Sequence, residues 1–420
     1  MSEPLKRMEY TKHILDNGLT IIVHTDKSSP MVAMNILYNV GARDEDPKLT
    51  GFAHLFEHLM FGGSVNIPDF DMPLQMAGGE NNAFTNNDYT NYYLTLPAQN
   101  LETAFWLESD RMLELAFSEE SLAVQKKVVI EEYRQRYLNQ PYGDAWLLLR
   151  ALAYSAHPYR WPTIGMEIRH IEDATLSAVK TFFFSHYAPN NAILTLAGDI
   201  EPDQAIQLSE KWFGPIPSRL VPLRNLPGEP KQLSPRYQEK KGNVPGPAVY
   251  LAWHMGDRLS RNYYQNDLLS DVLSSGMSAR LFLNLVKDKK LFSDIDAYIT
   301  GDRDPGLFVI SGRLADQVDP TEGMKAVGQE LLNLIEEPVK PRELEKVLNR
   351  MESNLLFNNM NIVNKAMNLG YYQWLGNPAR LSQELGIYRS VTAQELQSAA
   401  AGLFSEENCS RLVYLSNDGK

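Results

Sequence analysis

The sequence predicts an α+β protein built from two homologous domains, each a mostly antiparallel sheet covered by helices. Three observations carry this. Short runs rich in Val, Ile, Thr and Tyr alternate apolar and polar residues, as half-buried strands do. Longer runs with apolar residues three and four apart read as helices. The same order of strands and helices occurs on both sides of one proline-rich stretch, so one supersecondary plan is used twice.

Taken in order, the first half opens with a strand pair, "HILDNGLTIIVHTD" and "MVAMNILYNVGARDE". A helix in "LTGFAHLFEHLMF" follows, then strands in "NNAFTNNDYTNYYLTLP". Two helices come next, "NLETAFWLESDRMLELA" and the longer "SEESLAVQKKVVIEEYRQRYL". The half closes with a helix and a strand in "LSAVKTFFFSHYAPNNAILTLAG". Residues 214–247, "GPIPSRLVPLRNLPGEPKQLSPRYQEKKGNVPGP", are proline-rich and read as an extended, semi-rigid linker. Beyond it, "AVYLAWHMGD" answers the first strands, and "NYYQNDLLSDVLSS" with "MSARLFLNLV" answers the first helix. "DIDAYITGDRDPGLFVISGRL" supplies the next strands, and "PTEGMKAVGQELLNLIEE" and "KPRELEKVLNRMESNLLF" the two helices. "TAQELQSAAAGLFSEENCSRLVYL" closes the second half. The expected domains are residues 1–213 and 248–420, joined by 214–247, which agrees with about 150 residues per domain.

Composition narrows the function. The chain is 44% hydrophobic and 22% charged, as a folded globular protein is. A net charge of −12 argues against nucleic acid and against anionic membrane surfaces as partners. The single cysteine, Cys409, excludes an intrachain disulfide and a thiolate-rich zinc site. No apolar leader segment and no run of 18 apolar residues is present, so a cytoplasmic protein without a membrane span is expected.

The chemistry concentrates in "GFAHLFEHLMFGG", residues 51–63. On a helix, His54 and His58 lie about 40° apart around the axis and can aim both imidazoles at one point. That spacing suits two neighbouring ligands of a zinc ion. Glu57 sits on the flank of the same face, where it can hold a water without ligating the metal and act as general base. Three polar groups on so apolar a helix are costly unless they are partnered. The order His-x-x-Glu-His is the inverzincin pattern. A third ligand is required, and "QKKVVIEEYRQ" offers Glu131 and Glu132 on the second long helix. The matching helix of the second half has no such motif, so one copy of the repeat carries the candidate site.

With these stretches, and with "HPYRWPTIG", the chain resembles the pitrilysin-type (M16) zinc metallopeptidases over nearly its whole length. The likeness is to short bacterial and mitochondrial-processing-peptidase-like members. The resemblance implies Zn2+ held by His54, His58 and Glu132, with 73 residues between His58 and Glu132, and Glu57 as the base. It implies that the strand around Asn82, Ala83 and Phe84 receives the substrate backbone as an added strand, a mode that reads main chain first and favours extended or unfolded segments. Family members carry a glutamate seven residues before the ligand glutamate. Here that position is Gln125, which can accept a hydrogen bond behind the ligand but adds no charge.

One further departure bears on partners. Many family members carry, after a Ser-x-Arg-Leu stretch in the second half, an arginine and a tyrosine that stabilise the oxyanion. Ser278, Arg280 and Leu281 match that stretch, but the arginine position falls on Lys287 and the tyrosine position on Ser293 or Asp294. Tyr298 is nearby and belongs to a strand pattern. A chain with metal ligands but without that pair resembles the catalytic subunit of a two-chain enzyme. The expected partner is a homologous M16 chain, in a heterodimer or as a second copy. The expected function is zinc-dependent endopeptidase. The alternatives are a non-catalytic core-protein-like subunit and a zinc-dependent peptide binder.

Overall fold

The computed structural model describes residues 8–417. The first sheet has six strands: β1 (Thr11–Ile14), β2 (Thr20–Thr25), β3 (Met31–Tyr38), β4 (Glu80–Thr85), β5 (Thr90–Pro97) and β6 (Ala192–Gly198), in the order β1-β2-β6-β3-β5-β4. The second has five: β7 (Arg236–Gly242), β8 (Ala248–His254), β9 (Phe292–Ile299), β10 (Leu307–Leu314) and β11 (Cys409–Ser416), in the order β7-β11-β8-β10-β9. With β7–β11 standing for β2–β6 the two orders are the same, and β1 is the one addition. Each sheet has a single parallel pair at the same place, β2 with β6 and β7 with β11. The expected α+β architecture, a mostly antiparallel sheet built twice, is what the chain forms.

Fourteen α-helices run among the described residues. In order they are α1 (Phe52–Leu59), α2 (Asp71–Met76), α3 (Leu101–Leu113), α4 (Glu119–Tyr133), α5 (Ala145–Ala153), α6 (Ile168–Glu172) and α7 (Leu176–His186). They continue with α8 (Pro202–Trp212), α9 (Arg261–Ser274), α10 (Pro320–Glu336), α11 (Pro341–Asn358), α12 (Ile362–Trp374), α13 (Arg380–Arg389) and α14 (Ala393–Leu403). None is long and apolar enough to cross a membrane.

The compact units interleave along the sequence. Among the described residues, one comprises 8–133, 161–226 and 355–383; the other comprises 134–160, 227–354 and 384–417. In the first unit α12 lies across β3 and β6. Ala33 and Ala197, paired across β3 and β6, meet Ala366 there, and the small side chains let the helix approach closely. Gly370 continues the close contact, since a Cβ on it would stand 3.0 Å from Thr195 Oγ1. In the second unit α5 lies on β8 and β11, over Ala248, Ala252 and Leu412. Central strands such as "MVAMNILY" are therefore covered on both faces, and so they read as continuous apolar runs.

Residues 214–247 differ from the expected linker. Arg236–Gly242 is β7, a parallel neighbour of β11. As an edge strand with alternating exposed and half-buried residues it keeps its charges in water, and those charges hide it among the prolines. The rest is pinned along its length. In the first unit, Arg219 donates to the carbonyls of Tyr187 and Leu113, both at 2.7 Å, and Arg224 pairs with Asp44. In the second, Glu229 accepts from the backbone N–H groups of Ser155, Ala156 and His157 at 2.8–2.9 Å. Those bonds hold its carboxyl below the usual carboxylate range against the opposing effect of burial.

Candidate metal centre

α1 buries Phe52, Ala53, Leu55, Phe56 and Leu59. Phe56 lies within aromatic contact of Phe183 and Tyr187, at centroid distances of 5.8 and 4.4 Å. This apolar face fixes the rotation of the helix and leaves His54, Glu57 and His58 half-buried on the other side. The helix begins at Gly51, in the left-handed region at φ 89°. A Cβ there would stand 2.7 Å from the carbonyl of Ile164, so both backbone and space require glycine.

α4 packs beside α1. Val129 and Tyr133 anchor it inward, and the Tyr133 hydroxyl donates to the carbonyl of Met166 at 2.9 Å. The anchoring turns Glu132 toward α1. Its Oε2 lies 3.6 Å from His54 Nε2 and 3.5 Å from His58 Nε2. The imidazoles are nearly perpendicular, at 89°, with centroids 4.8 Å apart. Zinc–ligand bonds of about 2.0–2.2 Å in a tetrahedron separate ligand atoms by about 3.4 Å. Glu132 stands near this spacing from both rings, all three donor atoms lie within 4.8 Å of one another, and two imidazoles with one carboxylate are the donor set of a zinc site that leaves a fourth position open. Glu131 is exposed on the same turn. Gln125 is half-buried on α4, two turns before Glu132.

Glu57 accepts a hydrogen bond from the Thr85 hydroxyl at 2.5 Å. Burial raises its carboxyl above the usual range, with Glu132 adding to the rise and Thr85 and His58 opposing it. Thr85 ends β4, the strand that holds Asn82, Ala83 and Phe84. β4 pairs with β5 on one side and ends the sheet on the other. Asn82 is exposed and its side chain accepts from the N–H of Ala83 at 2.8 Å. Phe84 belongs to the opposite strand face from Thr85 and lies 5.8 Å from the Tyr89 ring. The structure thus brings the three predicted ligands and Glu57 together beside a sheet edge. Sequence reasoning passed over Thr85, though it closes a strand already singled out.

The second-half residues lie within one unit. Arg280 forms a two-pronged pair with Glu343, both bonds at 2.9 Å. Lys287 lies in the wide turn Phe282–Asp288. Asp294, on β9, pairs with Arg313 at 2.6 Å, and Ser293 and Tyr298 belong to the same strand.

The chain resembles known proteins in sequence and in fold. Residues 20–164 match the model described as "Insulinase (Peptidase family M16)", and residues 173–351 the model "Peptidase M16 inactive domain". The zinc protease PqqE of Helicobacter pylori is 29% identical over 352 residues, covering 81% of this chain and 77% of that protein. An uncharacterized zinc protease of Bacillus subtilis, YmxG, is 24% identical over 96% of this chain and 97% of its own. Among solved structures, a protease from Helicobacter pylori superposes with a TM-score of 0.92 at 25% identity, over 97% of this chain and 99% of that one. The periplasmic protease PqqL from Escherichia coli shares the fold at a TM-score of 0.78 and 18% identity; the match covers 99% of this chain and 48% of PqqL.

Proposed function

The chain belongs to the M16 peptidase family, and from that premise we propose that it is a zinc-dependent endopeptidase. In this reading it hydrolyses peptides or unfolded polypeptide segments laid along β4, in a chamber completed by a homologous partner chain. The observation that carries the proposal is the convergence of His54, His58 and Glu132, with Glu132 Oε2 at 3.5–3.6 Å from both imidazoles and all three donor atoms within 4.8 Å of one another, and with Glu57 tied through Thr85 to the edge strand.

Zinc, when bound, supplies a Lewis acid that polarises a carbonyl and lowers the pKa of water. Glu57 takes the proton of the attacking water and returns it to the leaving amine. A carboxylate can both accept a proton from water and give it back to an amine. Thr85 orients it. Asn82, Ala83 and Phe84 offer main-chain groups to an extended segment. Gln125 stands behind Glu132 as a neutral support. The positions of the family's arginine and tyrosine hold Lys287 and Ser293 or Asp294, and Asp294 is an acceptor already paired with Arg313, which supports an outside source for the oxyanion donors. PqqL also has as much chain again beyond the matched part.

The test is hydrolysis of a quenched, unstructured peptide by the zinc-loaded chain, alone and with a homologous chain bearing an arginine–tyrosine pair. Activity is expected in the mixture. Full activity of the chain alone would remove the partner from the reading, and zinc binding without hydrolysis in either case would remove the peptidase. Fractionation of the native cells tests the cytoplasmic location.

A further inference from the structure

α1 is short, eight residues, and begins without a side-chain cap of its own, because Gly51 has none to offer. The first N–H groups of a helix need acceptors from elsewhere. Here they come from Glu45. Its Oε2 accepts from the N–H of Gly51 at 2.9 Å and its Oε1 from the N–H of Ala53 at 2.8 Å. Glu45 is 6% exposed. Burial raises its carboxyl well above the usual range, while the N–H groups of Ala53 and Gly51 and the positive end of the helix dipole act against that rise.

Glu45 follows the single turn Ala42–Asp44, and that turn is held from the other side by the loop joining β4 to β5. The N–H of Ala42 donates to the carbonyl of Asn86 at 3.1 Å and that of Arg43 to the carbonyl of Asn87 at 2.9 Å. The buried Arg43 pairs with Asp88 at 2.9 Å. Gly41 admits no side chain, since a Cβ would fall 2.6 Å from the Asn87 backbone. The "HPYRWPTIG" stretch completes the clamp. Trp161 Nε1 donates to the carbonyl of Ala42 at 2.8 Å. The N–H of Met166 donates to the Thr50 hydroxyl at 2.8 Å, and Gly165 at φ 96° passes so close that a Cβ would stand 2.8 Å from the Thr50 carbonyl. One turn therefore grips both the β4–β5 hairpin and the start of α1.

We propose that Glu45 is a positioning residue of the metal centre: it fixes the first turn of α1 against the β4–β5 hairpin, and so sets His54 and Glu57 relative to Glu132 and Thr85. The inference rests on the metal-site reading above. The physical reason is the small tolerance of such a site. His54 lies one residue beyond Ala53, and a metal centre tolerates shifts of only about 0.2–0.5 Å in its ligands. A two-turn helix has few internal hydrogen bonds to resist sliding or fraying, so its register is imposed from outside.

The test compares Glu45→Ala, Glu45→Gln and, as a control for general weakening, Asn17→Ala. Asn17 donates to the carbonyls of Phe213 and Ile216, both at 2.8 Å, away from α1. Zinc affinity is measured by chelator competition, geometry by the visible spectrum of the cobalt-loaded protein, and α1 mobility by amide hydrogen exchange of the metal-free protein. Glu45→Ala is expected to weaken zinc binding by about 10–100-fold, to alter the cobalt spectrum and to speed exchange in α1. Asn17→Ala is expected to lower the melting temperature and leave zinc affinity alone. Wild-type zinc affinity and wild-type α1 exchange in a folded Glu45→Ala protein would overturn the proposal. Should that variant not fold, Glu45→Gln decides: it keeps the volume but turns an amide donor toward one of the two N–H groups, so undiminished zinc affinity there would equally overturn it. A wild-type chain that binds no zinc would overturn the metal reading instead, while amide exchange would still decide whether Glu45 holds the helix.

Discussion

α1 and α9 hold the same place in the two sheets. Each follows the strand that pairs with the closing strand of its sheet, and each packs on the next one, α1 on β4 and α9 on β9. α1 presents His54 and His58 four residues apart; α9 presents Asp267 and Asp271 at the same spacing. The helix that answers α1 brings a carboxylate, Glu132. The corresponding α11 brings cations, and Lys346 and Arg350 both act on Asp271. One copy collects two imidazoles and a carboxylate, a group that could hold a metal ion. The other balances its acidic groups with cations of its own chain. A repeat can keep its backbone plan while the charge logic of one helix pair is inverted, and only the arrangement that leaves a cation to be supplied can become a metal site.

The comparison breaks most sharply at Glu57. Replacing it by glutamine keeps shape and the bond from Thr85 but removes proton transfer, so peptide hydrolysis should fall by about 10²–10⁴-fold. Zinc content, measured by elemental analysis, should remain one per chain. Unchanged hydrolysis would exclude Glu57 as the base. Next in size is the ligand pair. Glu132→Gln should weaken zinc binding by more than about tenfold, whereas Glu131→Gln, one residue away but exposed, should leave it unaltered. Equal losses in the two variants would mean that general acidity on α4 matters rather than one aimed carboxylate.

The sequence carried the site unevenly, for physical reasons. His54, Glu57 and His58 are neighbours on one helix, so helical geometry alone shows their common face. Glu132 comes from a distant helix, and residue types left Glu131 equally eligible. What separates them is the inward anchoring of Val129 and Tyr133, which rotates α4 and is a tertiary effect. Glu45 gives no periodic signal because it lies just past a single turn, though a helix opening on glycine shows that some outside acceptor is needed. The strands and their repeat were legible from alternation, except β7, whose charges suit an edge strand. The unit boundaries were hidden because α5 and α12 pack on sheets from the other half of the sequence. Hydrophobic periodicity reports that a helix face is buried, not against which sheet.

Asp267 sharpens the comparison at an intermediate size. Burial pushes its carboxyl up to about 6, with Asp271 and Glu384 adding to the rise and the Tyr388 hydroxyl and Arg258 opposing it. The folded state therefore keeps a proton that the unfolded chain, with a pKa near 3.8, has released. Stability from this group is fully present below pH 3.8, is lost as pH rises through 6, and leaves a penalty of at most about 3 kcal/mol above that. Asp267→Asn cannot ionise and can still accept from Tyr388, which donates at 2.5 Å. The difference in stability, variant minus wild type, should rise between pH 4 and pH 7.5 by up to that amount in denaturant titrations. A flat difference would show that α9 tolerates the charge at no cost.

The smallest effect belongs to Lys346, and it tests whether fixed cations balance the acidic face of α9. Burial raises the Asp271 carboxyl, while Ser275, Arg350 and Lys346 act against the rise. Lys346→Met keeps the apolar stem and removes one opposing charge, so the Asp271 pKa should climb further. The sign follows: the variant matches wild type at low pH, where Asp271 is protonated, and becomes the less stable protein as pH rises through the Asp271 titration. Lys346 is half-buried and its ammonium also reaches the Ser278 hydroxyl at 3.1 Å. Its contribution is therefore that of a solvent-screened pair, below about 1 kcal/mol, and should shrink as salt is raised from 50 mM to 1 M because the Debye length falls to about 3 Å. A loss that is independent of both pH and salt would assign Lys346 to packing, and the inverted charge pattern of α9 and α11 would then rest on Arg350 alone.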